Sequence, residues 1–173
     1  MGTGDGRHVL AAAAARPDTL VIGVDANAMA MADSSRRAAR RRALPNALFA
    51  VAAAEHPPHV LKGLAGSLTV NFPWGSLLRG LLGHDDAVLA GVASLLAPGA
   101  TGRLLFSVVP RDGAPAIPAP AQLSAIYARH GMALLEARPA TPGEIAASGS
   151  SWAKRLRAGR DRPVTLARMR AFV

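Results

Sequence analysis

The residues best placed to do chemistry come first in the chain. Met1-Gly2-Thr3-Gly4-Asp5-Gly6 is a Gly-rich turn, and residues 7–15 behind it read as a helix. Glycine permits a tight turn and lets the backbone approach a ligand closely. A helix N-terminus presents unpaired N–H groups. Such a turn is a common way of holding a nucleotide-like cofactor. Asp5 narrows the choice of ligand. A dinucleotide pyrophosphate is anionic and is held by G-x-G-x-x-G, but Arg7 stands here where the third glycine belongs. An acid inside the turn suits a cationic or zwitterionic ligand such as S-adenosylmethionine. Residues 19–24 then read as a strand that leads into Asp25, where a carboxylate can accept both ribose hydroxyls of an adenosine. The alternative is a Gly-rich tail ahead of an Ala-rich helix. The succession of turn, helix, strand and acid favours the cofactor site.

A second candidate site is Val70-Asn71-Phe72-Pro73-Trp74-Gly75-Ser76-Leu77-Leu78-Arg79-Gly80, directly after a predicted strand. Ligands of open α/β sheets sit at the carboxyl ends of strands, so Asn71, Pro73 and Trp74 are expected beside the Gly-rich turn. Trp74 is one of two tryptophans; the other, Trp152, follows Gly149-Ser150-Ser151 and precedes Lys154 and Arg155. Two tryptophans on strand-end loops can sandwich a flipped base, each stack being worth roughly 1–3 kcal/mol. Taken singly, each is equally a packing residue. None of the five histidines forms a convincing dyad. His56 and His59 stand beside Glu55, but Pro57-Pro58 separates them and no third ligand is near, so no metal site is expected.

The elements that must position these residues follow from the whole chain. Its 173 residues suggest one domain with a sizeable core, half hydrophobic but only 4% aromatic. The absence of cysteine excludes disulfides and thiolate metal sites. No apolar run approaches a membrane span and no signal peptide opens the chain, which reads as a cytoplasmic protein. A net charge of +9 favours a polyanionic partner, most simply nucleic acid. The charge is clustered: Arg36, Arg37, Arg40, Arg41 and Arg42 form one group, and Lys154, Arg155, Arg157, Arg160 and Arg162 another. Further helices are predicted at 28–42, 59–64, 76–82, 85–96 (closed by Pro98-Gly99) and 122–130, and further strands at 47–51, 67–72, 103–109, 133–137 and 164–172. Residues 110–120 are too proline-rich for regular structure, and 141–159 mix helix and loop. The alternation argues for an α/β sandwich with a mostly parallel sheet, without internal repeat or linker. In a βαβ nucleotide fold the Gly-rich turn follows the central strand of the sheet. Only Met1 precedes it here, so the expected domain lacks its first strand, either because the chain is truncated or because its start is placed too late.

Gly2-Thr3-Gly4-Asp5-Gly6, Val24-Asp25-Ala26, Leu44-Pro45-Asn46, Ala54-Glu55, the block from Pro73 to Gly80, and Ser151-Trp152 with Arg160-Asp161-Arg162 closely resemble the kanamycin–apramycin resistance methyltransferases. Those enzymes methylate N1 of adenine 1408 in the decoding site of 16S rRNA. The resemblance covers nearly the whole chain. The block from Pro73 to Gly80 and the late Ser-Trp are its specific parts, whereas the Gly-rich turn is generic to class I methyltransferases. It implies a Rossmann-like sheet of seven strands, S-adenosylmethionine as donor, and the 16S rRNA of the 30S subunit as partner of a monomer, with no membrane and no metal. Carried over, Gly2, Thr3, Gly4, Asp5, Gly6, Asp25, Ala26, Ala54, Glu55, Asn71 and Pro73 hold the cofactor, with Glu55 near its adenine. Trp74 and Trp152 hold the target base, and Lys154, Arg155, Arg160 and Arg162 contact rRNA. The family has a β-hairpin and a first strand before its Gly-rich turn, so the domain is expected to be N-terminally truncated relative to it.

The chemistry suits this inventory. Adenine N1 carries a free in-plane lone pair, so it can attack a sulfonium methyl directly, and the cationic product has no proton to lose. Positioning then supplies most of the rate. One competing reading is methylation of the exocyclic amine, since Asn71-Phe72-Pro73-Trp74 resembles an N-P-P-Y motif, with Phe72 replacing its first proline. Others are a non-catalytic rRNA-binding relative and an NAD-dependent enzyme; Arg7 and the lack of a hydride-transfer residue disfavour the last.

Overall fold

The computed structural model describes residues 1–40 and 44–172. The elements are, in order, α1 (Arg7–Ala15), β1 (Val21–Asp25), α2 (Ala28–Ala39), β2 (Ala47–Val51), β3 (Ala65–Asn71), α3 (Gly75–Leu81), α4 (Asp86–Leu95), β4 (Leu96–Phe106), α5 (Pro120–Ala128), β5 (Met132–Pro139), α6 (Pro142–Ala147), α7 (Ser151–Arg155) and β6 (Thr165–Ala171). Short 3₁₀ turns cover His59–Leu61 and Pro110–Asp112.

The strands form two sheets. β1 and β2 pair in parallel, and the second sheet runs β3-β4-β6-β5. β3 and β4 are parallel, while β6 is antiparallel to both β4 and β5, so only β6 is reversed in that sheet. The parallel alternation expected from the sequence is therefore present. No described strand lies between β1 and β3. The first residues bridge the two sheets there: the Met1 amine donates to the Thr69 carbonyl of β3, and the Gly2 and Thr3 N–H groups donate to the Val24 carbonyl of β1.

Strand periodicity divides the core. In β4, Leu104 and Phe106 face the large cluster built with α3, α4 and α5, and Leu105 faces the opposite way, towards Phe72, Ala153 and Leu166. Tyr127 of α5 is fully buried and its hydroxyl donates to the Leu81 carbonyl at 3.1 Å; burial raises its pKa. A third cluster holds α1 and α2 on the small sheet through Val9, Ala13, Ala38 and Ala47. The Asn46 side-chain amide fastens this edge by donating to the carbonyls of Ala13, Arg16 and Thr19.

Three elements differ from expectation. The helix predicted over 59–64 is only the 3₁₀ turn His59–Leu61. Helix 85–96 is not closed by Pro98-Gly99. It ends at Leu95, and β4 begins at once, with Pro98-Gly99 inside it. The register opposite β3 moves from Ala65–Leu96 to Ser67–Thr101, so the dipeptide forms a bulge, with Gly99 at φ +74°. The helix predicted over 28–42 ends at Ala39, and Arg41 and Arg42 lie outside the described residues.

Candidate cofactor and base-binding site

The Gly-rich turn sits at the carboxyl end of β1. Gly2, Gly4 and Gly6 all have positive φ, which glycine alone adopts without strain. At Gly6, the left-handed cap of α1, a Cβ would lie 2.6 Å from Phe49 and 2.8 Å from Ser34, so a side chain is excluded by space as well. At Gly4 a Cβ would meet nothing within 4 Å, which leaves open space beside the turn. The Gly4 N–H donates to Asp25 Oδ2 at 2.7 Å, and the Asn27 N–H donates to Asp25 Oδ1 at 2.9 Å. Asp25 thus ties the turn to β1 and the start of α2, and each oxygen keeps a lone pair for a further donor. Ala26 is exposed next to it, and Asn27 caps α2 by accepting from Ala30.

Asp5 is held from three sides. Its carbonyl accepts from the buried Ser34 hydroxyl, Oδ1 accepts from the Arg7 N–H, and Oδ2 accepts from Ser151 Oγ at 2.8 Å. The last bond spans nearly the whole chain and brings the start of α7 to the turn. Only the adjacency of Ser151 to Trp152 marked it in the sequence.

β3 ends at Asn71, whose Oδ1 accepts from Arg103 at 3.4 Å. Phe72 follows at φ +52°, a strained conformation for a bulky residue, and is buried with Ala153 of α7. Pro73 is buried, and Trp74 is the first residue to emerge, 49% exposed at the N-cap of α3. Trp152 is 38% exposed, one residue into α7. The two tryptophan loops therefore share one packing unit, the cluster that holds Phe72 and Ala153, and both reach the Gly-rich turn: α7 through Asp5, and α3 through Leu77, which lies against Gly2.

Ala54 is buried, its carbonyl so close to Gly91 of α4 that a Cβ there would lie 1.9 Å away. Glu55 lines a cavity of about 350 Å³ with His56, Pro57, Lys62 and residues of α4. Neither the turn nor Asp25 lines it.

The basic segment divides. Lys154, Arg155 and Arg160 are exposed, and the Arg155 guanidinium stacks 5.9 Å from the centroid of the Trp152 ring. Arg162 is a correction. Expected to contact rRNA, it is 5% exposed and pairs with Asp112, while its guanidinium also donates to the hydroxyl and carbonyl of Ser107. Those bonds hold Asp112 below the usual carboxylate range and fasten the proline-rich segment to the start of β6. A buried, paired guanidinium presents nothing to a phosphate. Sequence reasoning also missed a second ionic network: Glu144, held down to about 2 chiefly by its bonds from Arg138, also accepts from the Thr141 N–H. The Thr-x-x-Glu spacing of a capping box at Thr141 is its signal in the sequence.

This fold and this site define a class I S-adenosylmethionine-dependent methyltransferase. The family model for 16S rRNA (adenine(1408)-N(1))-methyltransferase, NpmA, matches residues 1–171. A curated relative of that description from Streptoalloteichus tenebrarius is 38% identical over 94% of this chain and 80% of its own length. Among solved structures, the 16S rRNA methyltransferase KamB superposes with a TM-score of 0.85 at 36% identity, covering 99% of this chain and 85% of that one. A variant of the 16S rRNA (adenine(1408)-N(1))-methyltransferase from Catenulisporales acidiphilia, crystallised with its cosubstrate SAM, superposes at 0.87 and 30% identity over 99% of this chain and 84% of that one. The chain belongs to the 16S rRNA (adenine(1408)-N(1))-methyltransferase family.

Proposed function

We propose that this chain transfers the methyl group of S-adenosylmethionine to N1 of adenine 1408 in 16S rRNA and so confers aminoglycoside resistance. The observation that carries this reading is the joining of the two half-exposed tryptophans, through Phe72 and Ala153, beside a Gly-rich turn that holds two acids. The residues present fit S-adenosylmethionine. Asp25 has lone pairs left for the ribose hydroxyls, Asp5 offers a carboxylate to the methionine ammonium, and Gly4 leaves room for the ligand beside the turn. In this reading Gly2, Thr3, Gly6, Ala26, Ala54, Glu55, Asn71 and Pro73 complete the cofactor site.

The cosubstrate, when bound, supplies an electrophilic methyl on a sulfonium. The task of the protein is to unstack the adenine, clamp it between Trp74 and Trp152, and aim N1 along the methyl–sulfur axis. The N1 lone pair forms the new carbon–nitrogen bond as the carbon–sulfur pair returns to sulfur. No proton moves, so no base is needed, and orientation supplies the acceleration. Lys154, Arg155 and Arg160 lie exposed beyond Trp152, suited to rRNA phosphates of the 30S subunit. The enzyme acts as a monomer in the cytoplasm, and no helix among the described residues is long and apolar enough to cross a membrane. Methylation of the exocyclic amine is disfavoured, because Phe72 stands where the N-P-P-Y motif has its first proline.

The test is to incubate 30S subunits with labelled S-adenosylmethionine and map the product by reverse transcription. Methylation at N1 blocks base pairing and stops the polymerase at position 1408. Incorporation of label without a stop there would sink the N1 reading.

A further inference from the structure

We propose that Ser151 is a positioning residue that couples occupancy of the Gly-rich turn to the placement of Trp152. The inference rests on the assignment of the turn to the cosubstrate and of Trp152 to the target base. α7 has only five residues, Ser151–Arg155, and a helix this short has little stability of its own. Its position depends on what anchors it. Two tertiary anchors are visible: Ala153 is buried in one cluster with Phe72, Leu105, Val164 and Leu166, and Ser151 Oγ donates to Asp5 Oδ2 at 2.8 Å. The N-cap Ser150 accepts from the Ala153 N–H, and its own N–H donates to Ser148 at the end of α6, so it secures the helix locally without reaching the Gly-rich turn. The hydroxyl of Ser151 is thus the direct polar link between the cosubstrate turn and the residue that begins the base clamp.

The link acts on an acid that must serve two donors. Asp5 Oδ1 is taken by the Arg7 N–H, and Oδ2 by Ser151. A cationic ammonium arriving at this carboxylate shares the oxygen that holds α7, so ligand binding changes the strength of the anchor. Coupling of this kind is reciprocal in binding energy. Its consequence for catalysis is that Trp152 shifts its position when the turn is filled, so the base clamp differs between the free and the loaded enzyme.

The experiment uses the full chain carrying Trp74→Phe, so that Trp152 is the only tryptophan. Acrylamide quenching of its fluorescence is followed with and without S-adenosylmethionine, and binding is measured separately by calorimetry. Ser151→Ala is expected to raise quenching in the free protein and to remove most of the ligand-induced change, while ligand still binds. Ser151→Thr, which keeps the hydroxyl, restores the parent response. Asp5→Ala removes the same bond from the other side and is expected to raise quenching in the free protein equally, the double variant adding nothing further. With Trp74 restored, Ser151→Ala lowers kcat by roughly tenfold, the equivalent of one modest hydrogen bond, and changes cosubstrate affinity far less. Ligand binding with an unaltered Trp152 response in Ser151→Ala overturns the coupling alone. No heat of binding in the parent overturns the assignment of the turn, and the coupling with it.

Discussion

Asp25 uses one lone pair of each carboxylate oxygen on the protein itself, accepting from Gly4 and Asn27, and offers the remainder to a ligand. Its removal therefore loosens the turn and deletes the ribose contacts together. Asp25→Ala is expected to weaken S-adenosylmethionine binding by more than about tenfold in calorimetry, since each hydrogen bond to a charged acceptor is worth roughly 1.5–3 kcal/mol. Unchanged affinity in a folded variant would remove Asp25 from the site. The tryptophans separate from the acids by function. Trp74→Ala or Trp152→Ala is expected to abolish methylation with cosubstrate affinity nearly intact, and Trp→Phe to retain part of the activity because a smaller ring still stacks. Normal methylation by Trp152→Ala would exclude the sandwich. Arg160 and Arg162 are two positions apart and do unrelated work. Arg162→Ala strands the buried Asp112 carboxylate, a defect that typically costs about 3–5 kcal/mol. It is expected to lower the melting temperature sharply, whereas Arg160→Ala leaves it unchanged. Asp112 has a depressed pKa in the folded chain, so this stabilisation is complete above its unfolded value and fades as pH falls through the folded one.

At the scale of elements, α7 and the loop after it carry Lys154, Arg155 and Arg160 exposed, with the Arg155 guanidinium over the Trp152 ring. Binding of these cations to phosphates releases counterions. Neutralising all three is therefore expected to weaken binding to 30S subunits and to flatten its salt dependence, roughly one unit of slope for each phosphate left without its cation. A slope equal to the parent's would assign them to the solvated surface. The helices and strands that carry the site were legible because their patterns are local: residues 7–15 and 47–51 are a helix and a strand over those same bounds. The Gly-rich turn, Asp25 and the tryptophan loops were likewise visible as residue types in order along the chain. What the sequence hid was pairing over distance. Arg162 read as one more member of a basic run, because its partner Asp112 lies in a proline-rich loop 50 residues earlier. Ser151 read as a neighbour of Trp152, because Asp5 lies 146 residues away. Pro98-Gly99 read as a helix stop, because both residues punctuate helices, and only the β3 register shows them as a bulge.

For the molecule as a whole, the decisive feature is the seam between the two sheets. Met1 and Gly2 donate in alternation, first to Thr69 of β3 and then to Val24 of β1, as the end of a parallel strand lying between them does. N-terminal to that rung, no described strand pairs with the facing edges of β1 and β3, and unpaired edges are costly when buried and aggregation-prone when exposed. Leu20 and Leu64, just ahead of these strands, are 56% and 69% exposed. The seam is therefore a strand acceptor. An apolar segment of about five residues fused ahead of Met1 is expected to fill it and to raise the melting temperature by at least ~5 °C, each kcal/mol being worth about 2–4 °C at this size. A Gly-Ser segment of equal length should not. The pH dependence gives an independent check. Burial lowers the Met1 amine from 8.0 to about 6. The unfolded chain thus binds more protons than the folded one between those values, and the unextended chain gains stability as pH rises from about 6 to 8. Any extension turns the amine into an amide and abolishes that gain, whereas the burial that lowers the pKa of the half-buried His8 is common to both forms and only the repulsion from the Met1 amine is lost with it. If the unextended chain melts as high as the apolar fusion and methylates 30S subunits as fast, the seam needs no strand and the turn holds its ligand without one.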